Sequence, residues 1–299
     1  METPNGLLIV DKPAGFTSHD VVAKLRGVLG TRRIGHGGTL DPMATGVLVV
    51  LVGPATRAAE YAAAQRKEYI AALRFGQESD TQDSTGRVLS TGPDTVTRAD
   101  YDRSVTALTG EILQLPPMYS ALKVGGKKLV DLARQGQQVE RQPRPVTIHE
   151  IETLFFDGHE ARLRIVCSKG TYVRTLCHDL GHLAGTCAVM TALRRTRSGA
   201  FTLQQAQTLD AIETRAARGD KPDLLPVDGL FAHLPAAEVD EDGWRRAQNG
   251  AFIAPAHLSA PLPPEGGLMR VYHQGQFRFL GRSGRLDKGG RALFVHKNF

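Results

Sequence analysis

The loop Gly35-His36-Gly37-Gly38-Thr39-Leu40-Asp41-Pro42 carries the sharpest chemical signal in the chain. Its glycines permit positive φ and close backbone approach, and Pro42 holds Asp41 in extended geometry. An aspartate fixed there, just ahead of the apolar run Gly46 to Gly53, is presented to a partner rather than solvated. The plain alternative is an Asp that caps a turn. The loop fits neither G-x-x-x-x-G-K-S/T nor G-x-G-x-x-G, so it is not a phosphate cradle. No second acid stands out for a glycosidase-like pair, because Asp80 and Asp83 lie in a polar stretch where they serve turns. Working alone, Asp41 would be a nucleophile or base beside a cation, which favours the charged carboxylate.

A candidate cation lies far down the chain, in Lys169-Gly170-Thr171-Tyr172-Val173-Arg174. Arg174 could grip a carboxylate or a phosphate with its planar fork, although an exposed arginine at a helix start is the commoner outcome. His178 and His182 follow at i, i+4 beside Cys177, a spacing that could bind zinc on a helix face. Neither the glutamate of H-E-x-x-H nor a paired cysteine motif accompanies them, so no metal is expected. Cys167, Cys177 and Cys187 form no CxxC pair and no even framework, and read as core or near-surface thiols of a reducing compartment.

Two stretches are basic. Residues 123–147 hold six cations (Lys123, Lys127, Lys128, Arg134, Arg141, Arg144) and two acids (Asp131, Glu140), a balance of +4. Arg194, Arg195 and Arg197 form a second cluster. Charge runs are usually solvated faces, but the whole chain of 299 residues carries +6, which favours a polyanionic partner such as nucleic acid. Aromatics make up only 6%, which argues against extensive single-strand stacking and leaves room for one or two stacked bases. The longest apolar run, Val47 to Val52, is far short of the ~20 residues a membrane helix needs. The opening METPNG lacks the basic and apolar regions of a signal peptide, so a cytoplasmic location without membrane contact is expected. No short repeat points to a solenoid.

The elements that must position these groups can be read from periodicity. Residues 7–10 read as a buried strand, and Ser18 as the N-cap of a helix that Gly30 ends. The run 46–53 reads as a strand covered on both faces, 55–65 as helical, and Lys67 to Phe75 as another strand. Residues 76–86 read as a loop, 150–166 as two strands around Asp157-Gly158, and both 172–184 and 186–196 as helices. Strands and helices intermix without a regular βαβ repeat, so a mixed α/β (α+β) fold is expected rather than a doubly wound sheet. A boundary falls near 220–236, where prolines break the pattern. Beyond it, 268–272, 276–280 and 291–296 read as strands of a small all-β module, at about 65 residues marginal alone and expected to pack on the main body.

Seven segments occur in one order: GLLIVDKPAGFTSHDVV, GHGGTLDPMATGVL, KEYIAALRFG, YSALKVGGKKLVDLARQG, RPVTIHEI, CSKGTYVRTLCHDLG and LRRTRSG. Together, over about residues 6–230, they resemble the TruB-type tRNA pseudouridine synthases, the stand-alone enzymes that convert the uridine of the TΨC loop (position 55 of tRNA). The tail, 236–299, is similar more weakly to a PUA RNA-binding module. The resemblance implies a catalytic domain over 1–230 with a central, mostly antiparallel sheet, and a tRNA-gripping insertion over 123–147. It implies that Asp41 is the catalytic aspartate, Tyr69 the tyrosine that stacks on the flipped uracil and is implicated in removing its C5 proton, and Arg174 the partner of the aspartate. Leu193 and Tyr172 would line the substrate site, His36 would help hold the flipped nucleotides, and Lys12 and Lys123 would be further basic positions near it. Gly37 stands where the family usually has Thr or Ala, a change expected to loosen the loop, and His178 is not a family signature.

The implied isomerisation breaks C1′–N1, turns the uracil and forms C1′–C5, so it needs no cofactor or metal. The resemblance allows the carboxylate three roles: attack at C1′, removal of the 2′ proton, or addition to uracil C6. The base must leave its stack, at a cost of a few kcal/mol that Tyr69 and Leu193 would offset. The expected partner is the T-arm of tRNA, met by a monomer without an obligatory protein partner. Competing readings are a non-catalytic tRNA binder or folding chaperone, the catalytic subunit of a guide-RNA particle, and a metal hydrolase built on His178 and His182.

Overall fold

A computed structural model of the chain describes residues 4–220, 222–287 and 289–299. Residues 1–3 and Lys221, which enter the N-terminal and boundary expectations, lie outside them. The first strand spans Gly6–Lys12 (β1) and the first helix Ser18–Leu29 (α1), ended by Gly30 at φ 61°. Thr17, not Ser18, caps this helix: its hydroxyl accepts from the Asp20 amide at 3.1 Å while Asp20 accepts from the Thr17 amide at 2.8 Å. This reciprocal box satisfies two orphan donors, and it frees the Ser18 hydroxyl for another task.

A short strand, Ile34–His36 (β2), leads through the glycine loop to Thr45–Val52 (β3). Every residue of β3 after Thr45 is buried, and its two faces feed two cores. Val47, Val49 and Leu51 pack with Leu7, Ile9 and Phe231, whereas Leu48, Val50 and Val52 pack with Val10, Val21 and Leu25. The period-2 alternation of a strand thus divides one apolar run between opposite faces. A 3-10 turn and Ala59–Ala64 (α2) then lead to Lys67–Phe75 (β4), where buried and partly open residues alternate.

Where the polar composition of 76–86 suggests a loop, Gln77–Ser79 (β5) pairs with Val88–Thr91 (β6) around a tight polar turn. Arg98–Ala107 (α3) and Gly110–Gln114 (β7) follow. The basic stretch folds as a hairpin of Lys123–Val124 (β8) and Lys127–Lys128 (β9), then Leu129–Arg134 (α4). Arg144–Phe156 (β10) and Glu160–Cys167 (β11) precede Val173–Leu183 (α5). Residues 186–196 correct the sequence reading: they belong not to a helix but to a strand, Ala188–Ser198 (β12). Alanine, methionine, leucine and arginine favour helices by only a few tenths of a kcal/mol per residue. β12 lies between β3 and β4 and pairs with both, which outweighs that preference.

Phe201–Thr202 (β13), Gln207–Thr208 (β14) and Leu209–Ala217 (α6) follow. The main sheet has ten strands among the described residues, in the order β14-β1-β3-β12-β4-β11-β10-β7 with β2 and β13 alongside. Its pairings are antiparallel except β1 with β14 and β3 with β12, so the fold is the expected mixed α/β arrangement around a mostly antiparallel sheet. α5 packs on the sheet through Leu176, Cys177 and Leu180, all fully buried in the cluster that holds Leu73, Leu163 and Ile165.

The tail forms a separate sheet of Ala236–Glu238 (β15), Leu268–His273 (β16), Gln276–Arg285 (β17) and Arg291–Asn298 (β18), in that order. It is not all-β, because Glu241–Gln248 folds as a helix (α7). Asp240 caps α7 by accepting from the Gly243 amide at 2.7 Å, and acids at its start with Arg245 and Arg246 at its end suit the helix dipole. Leu280, Phe277 and Phe299 pack against Phe231, joining the small sheet to the main body as expected.

Candidate active site

The glycine loop ends in a clamp. The Leu40 amide donates to the Ser18 hydroxyl at 2.8 Å, and the Pro42 carbonyl accepts from the Gly15 amide at 2.9 Å. Lys12, fully buried at the end of β1, donates to the carbonyls of Pro13 (2.9 Å), Phe16 (2.6 Å) and Pro42 (3.2 Å). Asp41 is thereby fixed on both flanks by α1 and the β1–α1 turn. Burial pushes the Lys12 ammonium down to about 8, partly opposed by the nearby Asp41 carboxylate. Lys12 therefore serves the loop's backbone from beneath.

Arg174, in the first turn of α5, meets Asp41 across 133 residues of sequence. Nε donates to Oδ2 at 2.8 Å and a terminal nitrogen to Oδ1 at 3.1 Å, the two-pronged geometry that guanidinium and carboxylate share. The remaining donors reach the carbonyls of Thr81 at 2.7 Å and Tyr119 at 2.9 Å. The arginine side chain is 5% exposed and that of Asp41 30%, so the cation is rigidly seated while the carboxylate stays open to a ligand. The α5 start is itself pinned: the Tyr172 amide donates to the Gln114 side chain at 2.8 Å, and that side chain donates back to the Tyr172 carbonyl at 3.1 Å.

The floor beside this pair is apolar. Tyr69 on β4 and Leu193 on β12, both under 10% exposed, share one cluster with Leu40 and Val173, the neighbours of Asp41 and Arg174. Burial raises the Tyr69 phenol above its ordinary value against the pull of Arg195, so Tyr69 is a neutral ring at physiological pH. His36 lies on β2 at the other end of the loop, opposite Val50. Burial and then the Arg195 charge lower its pKa, leaving a neutral imidazole, and its Nδ1 is buried without a hydrogen-bond partner.

Of the residues singled out from sequence, the fold pairs Asp41 with Arg174 and sets Tyr69 and Leu193 in the cluster that holds Leu40 and Val173, the neighbours of that pair. It puts Tyr172 at the N-cap of α5 and bonds Lys12 to the Pro42 carbonyl. Lys123 is exposed on the β8–β9 hairpin, where it faces Lys128. Three expectations change. Asp83 does serve its turn, accepting from Thr81 at 2.8 Å and from Thr85 at 2.6 Å. It is also a second acid at the site, and unlike Asp41 a buried one, with a carboxylate oxygen 3.8 Å from Arg174. Arg195 is not part of an open basic cluster: it is 1% exposed and donates to Val47 (2.7 Å), Gly38 (3.2 Å) and Thr39 (3.4 Å) carbonyls, stiffening the loop from behind. Its neighbour Arg194 pairs with Asp11 at 2.7 Å, while Arg197 is exposed. A strand reading of 188–198 would have placed Leu193 and Arg195 on one face with Tyr69, beside their register partners on β4. Finally, Gly37 does not loosen the loop, because a Cβ there would stand 2.3 Å from the Ala62 Cβ. Glycine lets the loop lie directly on α2.

Residues 26–173 match the model of the TruB family pseudouridylate synthase N-terminal domain, and residues 174–232 that of the tRNA pseudouridylate synthase B C-terminal domain. The chain is 45% identical to tRNA pseudouridine synthase B of Aromatoleum aromaticum over 93% of this chain and 88% of that protein. It is 43% identical to the protein of the same name from Moorella thermoacetica, over 98% of both. Among solved structures it is similar to one of an H/ACA RNP bound to a substrate RNA containing 2′-deoxyuridine. That match has a TM-score of 0.74 and 26% identity over 98% of this chain and 84% of the other. A Cbf5-Nop10-Gar1 complex gives a TM-score of 0.74 at 28% identity, with the same coverage. No described helix is long and apolar enough to cross a membrane. With close relatives matching along nearly its whole length, the chain belongs to the TruB family of pseudouridylate synthases.

Proposed function

We propose that this protein isomerises the uridine of the TΨC loop of tRNA (position 55) to pseudouridine, with Asp41 as the acting carboxylate. The observation that carries the proposal is the Asp41–Arg174 pair: a carboxylate gripped at both oxygens, 30% exposed, beside an apolar floor. Each Asp41 oxygen accepts one N–H from Arg174 and keeps a lone pair for the ribose or the uracil. The guanidinium supplies a fixed positive charge beside the place where charge changes during glycosidic bond cleavage. Tyr69 gives the flipped uracil a neutral aromatic face and Leu193 an apolar wall, offsetting the cost of leaving the stack. The uracil loses N1–C1′, gains C5–C1′, gives up its C5 proton and takes one at N1, so atoms and electrons balance within the nucleoside and solvent. His36, on β2 at the start of the glycine loop, and Tyr172, at the N-cap of α5 two residues before Arg174, would hold flanking nucleotides.

The T-arm would be gripped by the insertion and the tail. Lys123 and Lys128 are directly opposed across β8 and β9, an arrangement of like charges that is unfavourable in the free protein. A phosphate chain laid over the hairpin relieves it. The segments 1–230 and 236–299 then act as catalytic body and RNA-binding module of a cytoplasmic monomer that needs no guide RNA. Relatives at 43–45% identity carry the name tRNA pseudouridine synthase B, whereas the ribonucleoprotein neighbours stand at 26–28%. That contrast supports the stand-alone reading over the guided one.

The test is purified protein alone with an unmodified tRNA transcript, and mapping of every pseudouridine by chemical labelling and primer extension. One modified nucleotide, in the TΨC loop, is expected. Modification elsewhere, or none until a guide or partner is added, would overturn the proposal.

A further inference from the structure

We propose that Glu78, His178 and His182 form a binding site for one divalent transition-metal ion of the zinc class, separate from the Asp41 site. His178 and His182 are one turn apart on α5 and therefore share a face. The fold brings the missing third ligand from β5, a hundred residues earlier in the chain. His178 Nε2 lies 2.9 Å from Glu78 Oε1 and 3.0 Å from His182 Nε2, and His182 Nε2 lies 3.8 Å from Glu78 Oε2. All three ligand atoms lie within 4.8 Å of one another.

An ion about 2.0–2.1 Å from each donor sets neighbouring donors about 2.9–3.4 Å apart. Two of the three separations are already there, and the third needs only rotation of a carboxylate. The other nitrogen of His178, Nδ1, bonds Asp179 Oδ1 at 3.1 Å. A carboxylate in that position directs Nε2 toward a metal and raises its basicity. Ser90 donates to Glu78 Oε2 at 3.0 Å, steadying the third ligand as well. His182 is 49% exposed, so ions have a path in and water can complete the coordination.

Two imidazoles and a carboxylate suit zinc, nickel or cobalt better than magnesium or calcium, which prefer all-oxygen shells. The ion would act as a staple. Arg174, His178 and His182 fall at i, i+4 and i+8 on α5. Glu78 belongs to the hairpin whose turn carries Thr81 and Asp83, two of the groups around Arg174. A metal bridging Glu78 and the histidines would hold that turn against the helix, beginning at His178, four residues or about 6 Å beyond Arg174.

The experiment uses untagged full-length protein stripped with chelator, then supplied with zinc chloride alone. Zinc is measured by mass spectrometry after desalting, and melting temperature by calorimetry. One zinc per chain should remain, with a melting temperature several degrees higher. His182→Gln and Glu78→Gln should each lose the retained zinc and the thermal shift, with circular dichroism and tritium release from uridine unchanged in metal-free buffer. Asp179→Asn should weaken binding about 10- to 100-fold. Cys187→Ser, which removes the thiol 3.6 Å from Ser90, should bind as wild type does. Failure of wild type to retain zinc, or equal retention by His182→Gln and Glu78→Gln, would overturn the proposal. So would loss of zinc in Cys187→Ser alone.

Discussion

Replacing Arg174 by lysine probes the pairing at the heart of the site while keeping the charge. The guanidinium binds four groups: both Asp41 oxygens and the carbonyls of Thr81 and Tyr119. An ammonium on a shorter, unforked stem can serve one carboxylate oxygen and cannot also span both carbonyls. Losing one charge-assisted hydrogen bond costs about 1.5–3 kcal/mol, which as a barrier is about a 10- to 150-fold slower step. Stability should fall too, since two carbonyls lose a donor at a residue only 5% exposed. The assay is single-turnover tritium release from C5-labelled T-arm uridine at saturating enzyme, with urea melts alongside. Arg174→Lys should slow the step into that range and leave RNA affinity within about twofold. Because Asp41 and Arg174 act as a unit, adding Arg174→Lys to Asp41→Asn should cost little beyond Asp41→Asn alone. An Arg174→Lys rate within about threefold of wild type, or fully additive effects, would refute the pairing argument.

Gly37→Ala adds a Cβ 2.3 Å from the Ala62 Cβ, so it should destabilise by about 1–3 kcal/mol through overpacking. Adding Ala62→Gly should recover part of that loss in urea melts. Burial pushes both Lys12 and Lys67 down to about 8. Between pH 8 and 10 the unfolded chain therefore binds more protons at these lysines than the folded one, and their contribution to stability rises with pH. Lys12→Met and Lys67→Met should each flatten that rise in denaturant melts taken across the window. Changing Lys123, Lys127 and Lys128 to alanine should weaken T-arm binding most at low salt. It should also make the slope of log K against log salt shallower by up to about 3, at about 0.9 for each phosphate no longer neutralised.

Much of the site was legible because its signals are local. Asp41 stands in a glycine loop before a doubly buried strand, a pattern that singles it out although it fits a turn-capping aspartate as well. Lys67 to Phe75 reads as a strand, but the role of Tyr69 on it comes only with the family resemblance. What escaped depends on the meeting of distant segments. Ser18 looks like a cap, but the neighbouring Thr17 takes that role and Ser18 instead bonds the Leu40 backbone. Residues 188–198 are good helix formers, and only pairing with β3 and β4 makes them a strand. That misreading also hid Arg195, whose burial beneath Gly38 and Thr39 follows from strand alternation. Asp83 and Glu78 lie in a polar stretch that resembles any surface loop, yet one reaches Arg174 and the other His178. No local pattern reports either meeting.

The most direct measurement compares wild type with Asp41→Asn on a T-arm stem-loop carrying tritium at uridine C5, with chelator present and no nucleotide added. RNA affinity is measured for both in the same buffer. Tritium release by wild type only, with equal affinity for the two proteins, is the expected result. Release by Asp41→Asn at the wild-type rate would contradict the role assigned to Asp41. No release by either, with tight binding kept, would contradict stand-alone isomerisation.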